Sequence, residues 1–328
     1  MRARLSKSKR FDFNKIFRKF GVLLVFVLML GISSILDPDF FATGNLMNIL
    51  KQVAVVAILA SGETMLIIGG QIDLGAGSVL ALGGTVAAAV YLATANVYLA
   101  ILACIIVTSA TGLVNGFLVT RFSLPSFIVT LAMMNVARGL ALIVSGGVPL
   151  ALNQFDSSSF KFLGQGKVFN TIPVAVFVML FVYFVTWIIL QKKPFGRYIY
   201  AIGGNEDAAK ASGINVTRVK MLAFFVNGIF TGIAGFLLMS RINVGQPTAG
   251  VSFEFDAITA AILGGVSFSG GVGYIWNTLV GCLIIGILSN VLNLMNVTPY
   301  IQQIVKGVII VLAVIMDQKT KQLNFKKS

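Results

Sequence analysis

Long apolar runs alternate with short polar or glycine-bearing breaks over most of the chain. The runs approach the ~20 residues that an α-helix needs to cross a hydrocarbon core about 30 Å thick. Ten membrane-crossing helices are predicted, at about 21–36, 49–68, 75–94, 98–118, 124–144, 172–190, 221–240, 254–267, 272–293 and 300–316. The eighth, with Ala257–Phe268 at its heart, is short and broken by glycine. The expected fold is therefore all-α: a polytopic membrane protein with some short or broken helices. A basic segment at 1–20 precedes one transmembrane domain at 21–317, and a basic tail follows at 318–328. The residues after the first run, Ser33 to Phe41, contain no small-residue cleavage site, so Gly21–Leu36 is read as a retained helix rather than a removed signal.

Composition agrees. Hydrophobic residues make up 57% of the 328, and only 11% are charged, where a soluble domain carries about a quarter. The formal net charge of +14 would suit nucleic acid only if the basic residues shared one water-facing surface; here they sit between apolar runs, and no nucleic-acid partner is expected.

The positions of those charges orient the chain, because cytoplasmic loops accumulate Lys and Arg. Residues 1–20 hold eight, the turn after 118 holds Arg121, residues 191–220 hold six and the tail after 316 holds four. Both termini are placed in the cytoplasm, consistent with an even number of crossings. Ten crossings split into two groups of five, and an odd number per group means that the second half enters from the opposite side, as an inverted repeat. Gly69–Gly75 interrupts the first half; Gly264-Gly265 and Gly270-Gly271 interrupt the second. Such interruptions either mark a transport path or let helices pack closely.

The chemistry available to the chain alone is narrow. Histidine is absent, and Cys104 and Cys282 lie inside apolar runs as small hydrophobes. No P-loop, nucleophile elbow or zinc motif occurs, so no catalytic residue, metal or cofactor is assigned to this chain. Charged side chains at membrane depth cost about 2.5–3.5 kcal/mol and require a reason. Glu63 and Arg138 either line an aqueous path or pin helices together, whereas Asp73, between Gly70 and Gly75, suits a helix start that accepts backbone N–H groups. Asn115, Asn135, Asn227, Asn290 and Asn293 also fall within or beside apolar runs. Their carboxamides fit an uncharged polyol better than an ion, or else bridge helices.

The longest basic loop, about 191–220, spells a short helix. Asn205 can cap it, Glu206 and Asp207 suit its positive end, Ala208–Ala211 propagate it and Gly213 can stop it. This is either a plain surface helix or one that docks on a cytoplasmic partner.

The same loop, Gly196 to Glu206 with Ser212-Gly213-Ile214-Asn215, resembles the coupling loop of bacterial ABC-importer permeases for monosaccharides, the ribose type above all. So do Gln246-Pro247-Thr248-Ala249-Gly250, Glu254, Asp256-Ala257-Ile258 and Leu263-Gly264-Gly265. Phe40-Phe41, Asn45-Leu46, Asn48-Ile49-Leu50 and Ile72-Asp73-Leu74 in the first half are similar to that family too. One departure is Gln71, where the family usually places glycine directly before Ile-Asp-Leu. The resemblance implies a bacterial inner-membrane permease subunit working by alternating access, paired with a second copy in the lipid bilayer. Its other partners would be a cytoplasmic ABC ATPase, which holds the ATP and magnesium, and an extracytoplasmic sugar-binding protein. The ATPase-coupling loop would comprise Gly204, Asn205, Glu206, Ala208, Ala209, Ser212, Gly213 and Ile214. Another pentose, a hexose or a nucleoside would suit the same class; an ion-coupled carrier is the reading from a different one.

Overall fold

The computed structural model describes residues 13–152 and 157–325. Residues 1–12 of the expected basic segment and 326–328 of the expected tail lie outside the described residues. α1 (Phe13–Leu36) leads through a 3-10 turn at Pro38–Phe41 into α2 (Thr43–Ile68), α3 (Ala76–Thr94), α4 (Val97–Arg121) and α5 (Ser126–Ser145). A surface stretch carries α6 (Ser158–Gln165), and α7 (Val174–Lys192) follows it. α8 (Pro194–Gly204) and α9 (Glu206–Ala211) occupy the long basic loop. α10 (Val216–Ile242), α11 (Phe253–Leu263), α12 (Ile275–Leu294) and α13 (Pro299–Phe325) complete the chain. Each of the ten apolar stretches forms a helix. The strands are four two-residue pieces: Leu150–Ala151 pairs antiparallel with Val244–Gly245, and Lys167–Val168 with Ile172–Pro173.

Among the described residues, seven helices, α2, α3, α4, α5, α7, α10 and α12, are long and apolar enough to cross a membrane. α11 has 11 residues, about 16 Å at 1.5 Å per residue, roughly half a hydrocarbon core. The described side chains of α1 and α13 give shorter apolar stretches, Leu23–Leu36 and Pro299–Ile315.

α2 lies at the centre: 83% of its most apolar window is buried, against 22% for α5, whose exposed Phe127, Ile128, Leu131 and Ile143 suit lipid. α10 packs on α2, α3 and α4. α10 and α4 meet backbone to backbone where Gly228 and Gly112 leave room, the small-residue contact that helices use when no water drives them together. Both cysteines are buried and unpaired.

Side-chain caps set several ends. Asn96 accepts from the N–H groups of Tyr98 and Leu99 to start α4, and Asn215 accepts from Arg218 to start α10. α2 and α11 end alike, each with a Gly-Gly pair whose second glycine has positive φ, +72° at Gly70 and +83° at Gly265. The N–H groups of Gln71 and Val266 return to the carbonyls of Leu66 and Ala261 respectively, the Schellman closure that satisfies a helix end.

Candidate functional site

α8 is the element that the loop reading does not contain. Lys193 is extended and Pro194 starts the helix, and Gly196, Ile199 and Ile202 form its buried face. That face is seated against α2, α7 and α10. Gly203 lies against the carbonyl oxygen of Ile68 and beside the Gly271 N–H, with no space for a β-carbon. The Gly271 N–H donates to the same Ile68 carbonyl at 2.8 Å, and the Tyr200 hydroxyl donates to the Gly273 carbonyl at 2.8 Å. α8 therefore lies across the Gly-Gly end of α2 and the glycine-bearing loop between α11 and α12.

α9 follows at once. Asn205 Oδ1 accepts the Ala208 N–H at 2.9 Å, and Ser212 Oγ donates to the Ala208 carbonyl. Gly213, at φ +82°, turns the chain so that the Ile214 N–H reaches the Ala209 carbonyl. Ala209 is buried; Gly204, Asn205, Ala208, Ser212 and Gly213 are exposed, and Glu206 and Ile214 are half-buried. Glu206 accepts from Lys210 at 2.9 Å and Lys220 at 2.7 Å. Desolvation pushes the Glu206 carboxyl up, but the hydrogen bonds and charges of the two lysines outweigh it and hold the group below its ordinary value. The Glu206 carboxylate in turn raises Lys210. Beside this ion pair a cavity of about 530 Å³ is lined by Gly70, Gln71, Ser126, Glu206, Lys210 and Lys220, so the end of α2 and the start of α9 share one polar space.

From Gly69 to Gly75 the backbone is irregular, and its N–H groups find side chains. Ile72 donates to Ser126 Oγ, Leu74 to Thr130 Oγ1 and Gly75 to Asp73 Oδ1. Asp73 Oδ2 accepts from Asn227 Nδ2 of α10 at 2.9 Å, and the Asp73 N–H lies 3.4 Å from Glu63 Oε2. Glu63 and Asp73 are both buried, and Glu63 Oε1 and Asn227 Oδ1 have no hydrogen-bond partner among the described residues. The other irregular segment, Asn243–Ser252 between α10 and α11, meets the first turn of α3 where Gly77 and Gly250 touch backbone to backbone. Arg138 of α5 fixes that segment by donating from Nη1 to the carbonyls of Pro247 and Ala249. Glu254 lies against Gly77.

Glu63, Asp73, Asn227 and Arg138 thus gather around the two irregular segments. The remaining candidates lie elsewhere. Asn115 is buried on α4 with Oδ1 unpartnered among the described residues, and Asn135 is exposed and donates to its own helix at Leu131. Asn290 exchanges both amide hydrogen bonds with Asn45, at 2.8 and 3.1 Å, and Asn293 accepts from Gln302. Sequence reasoning missed the buried Asp256–Lys306 ion pair at 2.7 Å and the largely buried Arg241. The available signal was charge inside apolar runs, the same that marks Glu63 and Arg138.

The family model described as branched-chain amino acid transport system / permease component matches residues 45–314. The chain is 42% identical over 314 residues to the ribose import permease protein RbsC of Bacillus subtilis, covering 96% of this chain and 97% of that protein. It is 41% identical over 295 residues to RbsC of Haemophilus influenzae, covering 90% and 91%. To the L-arabinose transport system permease protein AraH of Escherichia coli it is 34% identical over 315 residues, 95% of each. No solved structure matches.

Proposed function

Since the chain belongs to the branched-chain amino acid transport system permease family, we propose that it is the membrane-spanning subunit of an ATP-driven importer of a monosaccharide, ribose foremost. The observation that carries this reading is 42% identity to a ribose import permease running almost end to end through both chains. The 34% similarity to an L-arabinose permease makes that pentose the second candidate.

In this reading ten helices cross the bacterial inner membrane, with both termini in the cytoplasm and the α8–α9 face inside. The eighth crossing is made by the short α11 together with the irregular Asn243–Ser252 segment that precedes it. The inverted relation of the halves is supported by the paired irregular segments, Gly69–Gly75 after α2 and Asn243–Ser252 after α10, which are the second and seventh crossings. Gly264–Gly271 is not their counterpart, because it ends α11 on the same face as Gly69–Gly70.

A second permease copy completes the path, a cytoplasmic ABC ATPase supplies the energy, and an extracytoplasmic binding protein delivers the sugar. No catalytic step belongs to this chain. The exposed residues Gly204, Asn205, Ala208, Ser212 and Gly213 form the surface that the ATPase moves. Through Gly203 and Tyr200 that movement reaches the end of α2 and the loop between α11 and α12, and through α2 it reaches Glu63 and the Asp73 segment. ATP binding and hydrolysis bias inward- and outward-open states by their different contacts at α9.

The test is uptake of labelled ribose, with xylose, arabinose, galactose and a nucleoside compared, into sealed vesicles holding this chain, its ATPase and its binding protein. ATP-dependent ribose uptake is expected. Uptake driven instead by a proton or sodium gradient without the partners would replace the importer with an ion-coupled carrier.

A further inference from the structure

Gln52 and Ile68 stand sixteen residues apart on α2, about 24 Å along its axis. At the Gln52 end, away from α8, a cavity of about 210 Å³ opens between α2, α10, α11, α12 and α13. Its polar wall is Gln52, Arg241, Asp256, Ser289, Asn293, Gln302 and Lys306, and Phe253 with neighbouring aliphatic side chains forms the apolar remainder.

Polar side chains in a membrane bundle pair with one another or face a wet cavity. Some here are paired: Lys306 holds Asp256 at 2.7 Å, and Gln302 donates to Asn293. Others are open. Among the described residues the Arg241 side chain reaches only the Lys51 carbonyl, at 3.4 Å, leaving most of its five donors uncommitted. The Gln52 amide and Ser289 hydroxyl make no hydrogen bond with any described residue. The cavity thus presents three carboxamides, of which Gln302 and Asn293 bond to each other and Gln52 is open, with one hydroxyl, one guanidinium fork and a carboxylate anchored by Lys306, around an apolar wall.

Few solutes match that set. A metal cation would find one carboxylate already neutralised by Lys306. A purely apolar solute would leave the open donors buried and unpaired, at about 1–3 kcal/mol each. A sugar ring carries hydroxyls that donate and accept on one edge and C–H groups on its faces. At about 210 Å³ the space is smaller than the ~300–1,000 Å³ of drug-sized sites and suits a single ring.

We propose that this cavity is a neutral-monosaccharide subsite inside the permease, where Gln52, Ser289 and Arg241 hold the sugar after it leaves the binding protein and before it passes inward. This rests on the importer reading above. The reciprocal Asn45–Asn290 pair, linking α2 and α12 nearby, holds the wall without facing the sugar.

The test uses the full importer in sealed vesicles, with two readouts. First, Gln52→Leu should lower ATP-driven ribose uptake about tenfold, the value of one hydrogen bond near 1.4 kcal/mol, with co-purification of the ATPase reporting that the importer has assembled. Second, in a chain carrying Cys282→Ala and Ser289→Cys, saturating ribose should slow maleimide labelling severalfold, whereas mannitol should not. Wild-type uptake by Gln52→Leu, or labelling indifferent to ribose, overturns the subsite. Should Gln52→Leu lose the co-purifying ATPase and so fail to assemble, the labelling result decides alone. Protection by ribonate and not by ribose would overturn the neutral-sugar assignment. Failure of the unaltered chain to import any sugar with ATP defeats the importer reading, and the subsite with it.

Discussion

The α-carbon of Gly203, in the last turn of α8, lies against the carbonyl oxygen of Ile68 at the end of α2, with no room for a β-carbon between them. The same oxygen accepts the Gly271 N–H, so a push on α8 reaches the end of α2 and the loop between α11 and α12 together. Gly203→Ala should force these backbones apart and lower ATP-driven uptake at least about tenfold, equivalent to ~1.4 kcal/mol of lost coupling, with basal ATP hydrolysis retained. Gly204→Ala is the control, because a β-carbon there meets nothing within 4 Å. Equal uptake by the two variants would remove α8 from the transmission path.

Gly213 poses the opposite case. Its added β-carbon would stand in open space, but φ of +82° places it where residues with a side chain are strained. Gly213→Asn, which tolerates left-handed backbone, should keep both stability and uptake. Gly213→Trp should fold, at a local cost of about 1–2 kcal/mol, and uncouple hydrolysis from transport because the bulk lies on the exposed docking surface. Normal sugar uptake by Gly213→Trp would defeat the coupling role of α9.

What the sequence makes legible follows from the range of each signal. Apolar runs near 20 residues declare helices without any tertiary information, and Asn205 and Gly213 declare the ends of α9 because a cap is a local hydrogen bond. α8 was hidden by its mixture of basic and aromatic residues. Its signal was Pro194 followed by Phe195, Ile199 and Ile202 at helical spacing. The cavity at Gln52 was out of reach, since nothing local brings Asp256 to Lys306 fifty positions later or Arg241 to Lys51. Charges in apolar runs were visible singly, whereas their partners depend on packing. The glycine pairs were visible as breaks. That Gly69–Gly70 and Gly264–Gly265 end helices on one face, leaving Asn243–Ser252 as the other irregular segment, required the fold.

Glu206 gives a pH dependence with a definite sign. Its two lysine partners hold the folded carboxyl below its ordinary value of 4.5. The unfolded loop therefore binds the proton more tightly, and the stabilisation is present above about pH 4.5 and is lost as pH falls through the lower folded value. With 38% of its side chain exposed, Glu206 is screened, and its pairs are worth at most about 1 kcal/mol. Protection factors at the amides of Ala208–Ile214, that is, exchange corrected for the intrinsic slowing of amide exchange at lower pH, should fall severalfold on acidification in the wild-type chain. Glu206→Gln should show the lower protection already at neutral pH and lose the acid-side change. Unchanged protection in that variant would mean that Asn205 and Gly213 hold α9 without the ion pairs.

Asp73 and Glu63 differ in what their removal leaves behind. Asp73 accepts from Asn227 and from the Gly75 N–H, so Asp73→Leu strands two buried donors, at about 1–3 kcal/mol each. Glu63 accepts only the long bond from the Asp73 N–H, and its other oxygen has no partner among the described residues. Two carboxyl groups this close in a buried site oppose each other whenever both are charged. Glu63→Gln keeps an oxygen for the Asp73 N–H and removes that repulsion. It should therefore match or exceed the wild-type melting temperature in detergent, while Asp73→Leu falls by several degrees and loses uptake. Asn227→Leu should resemble Asp73→Leu, because it leaves Asp73 Oδ2 buried without its donor. If Glu63→Gln were the most damaging of the three, Glu63 rather than Asp73 would be the group that holds the irregular segment between α2 and α3, and its unpartnered oxygen would face a ligand instead of empty protein.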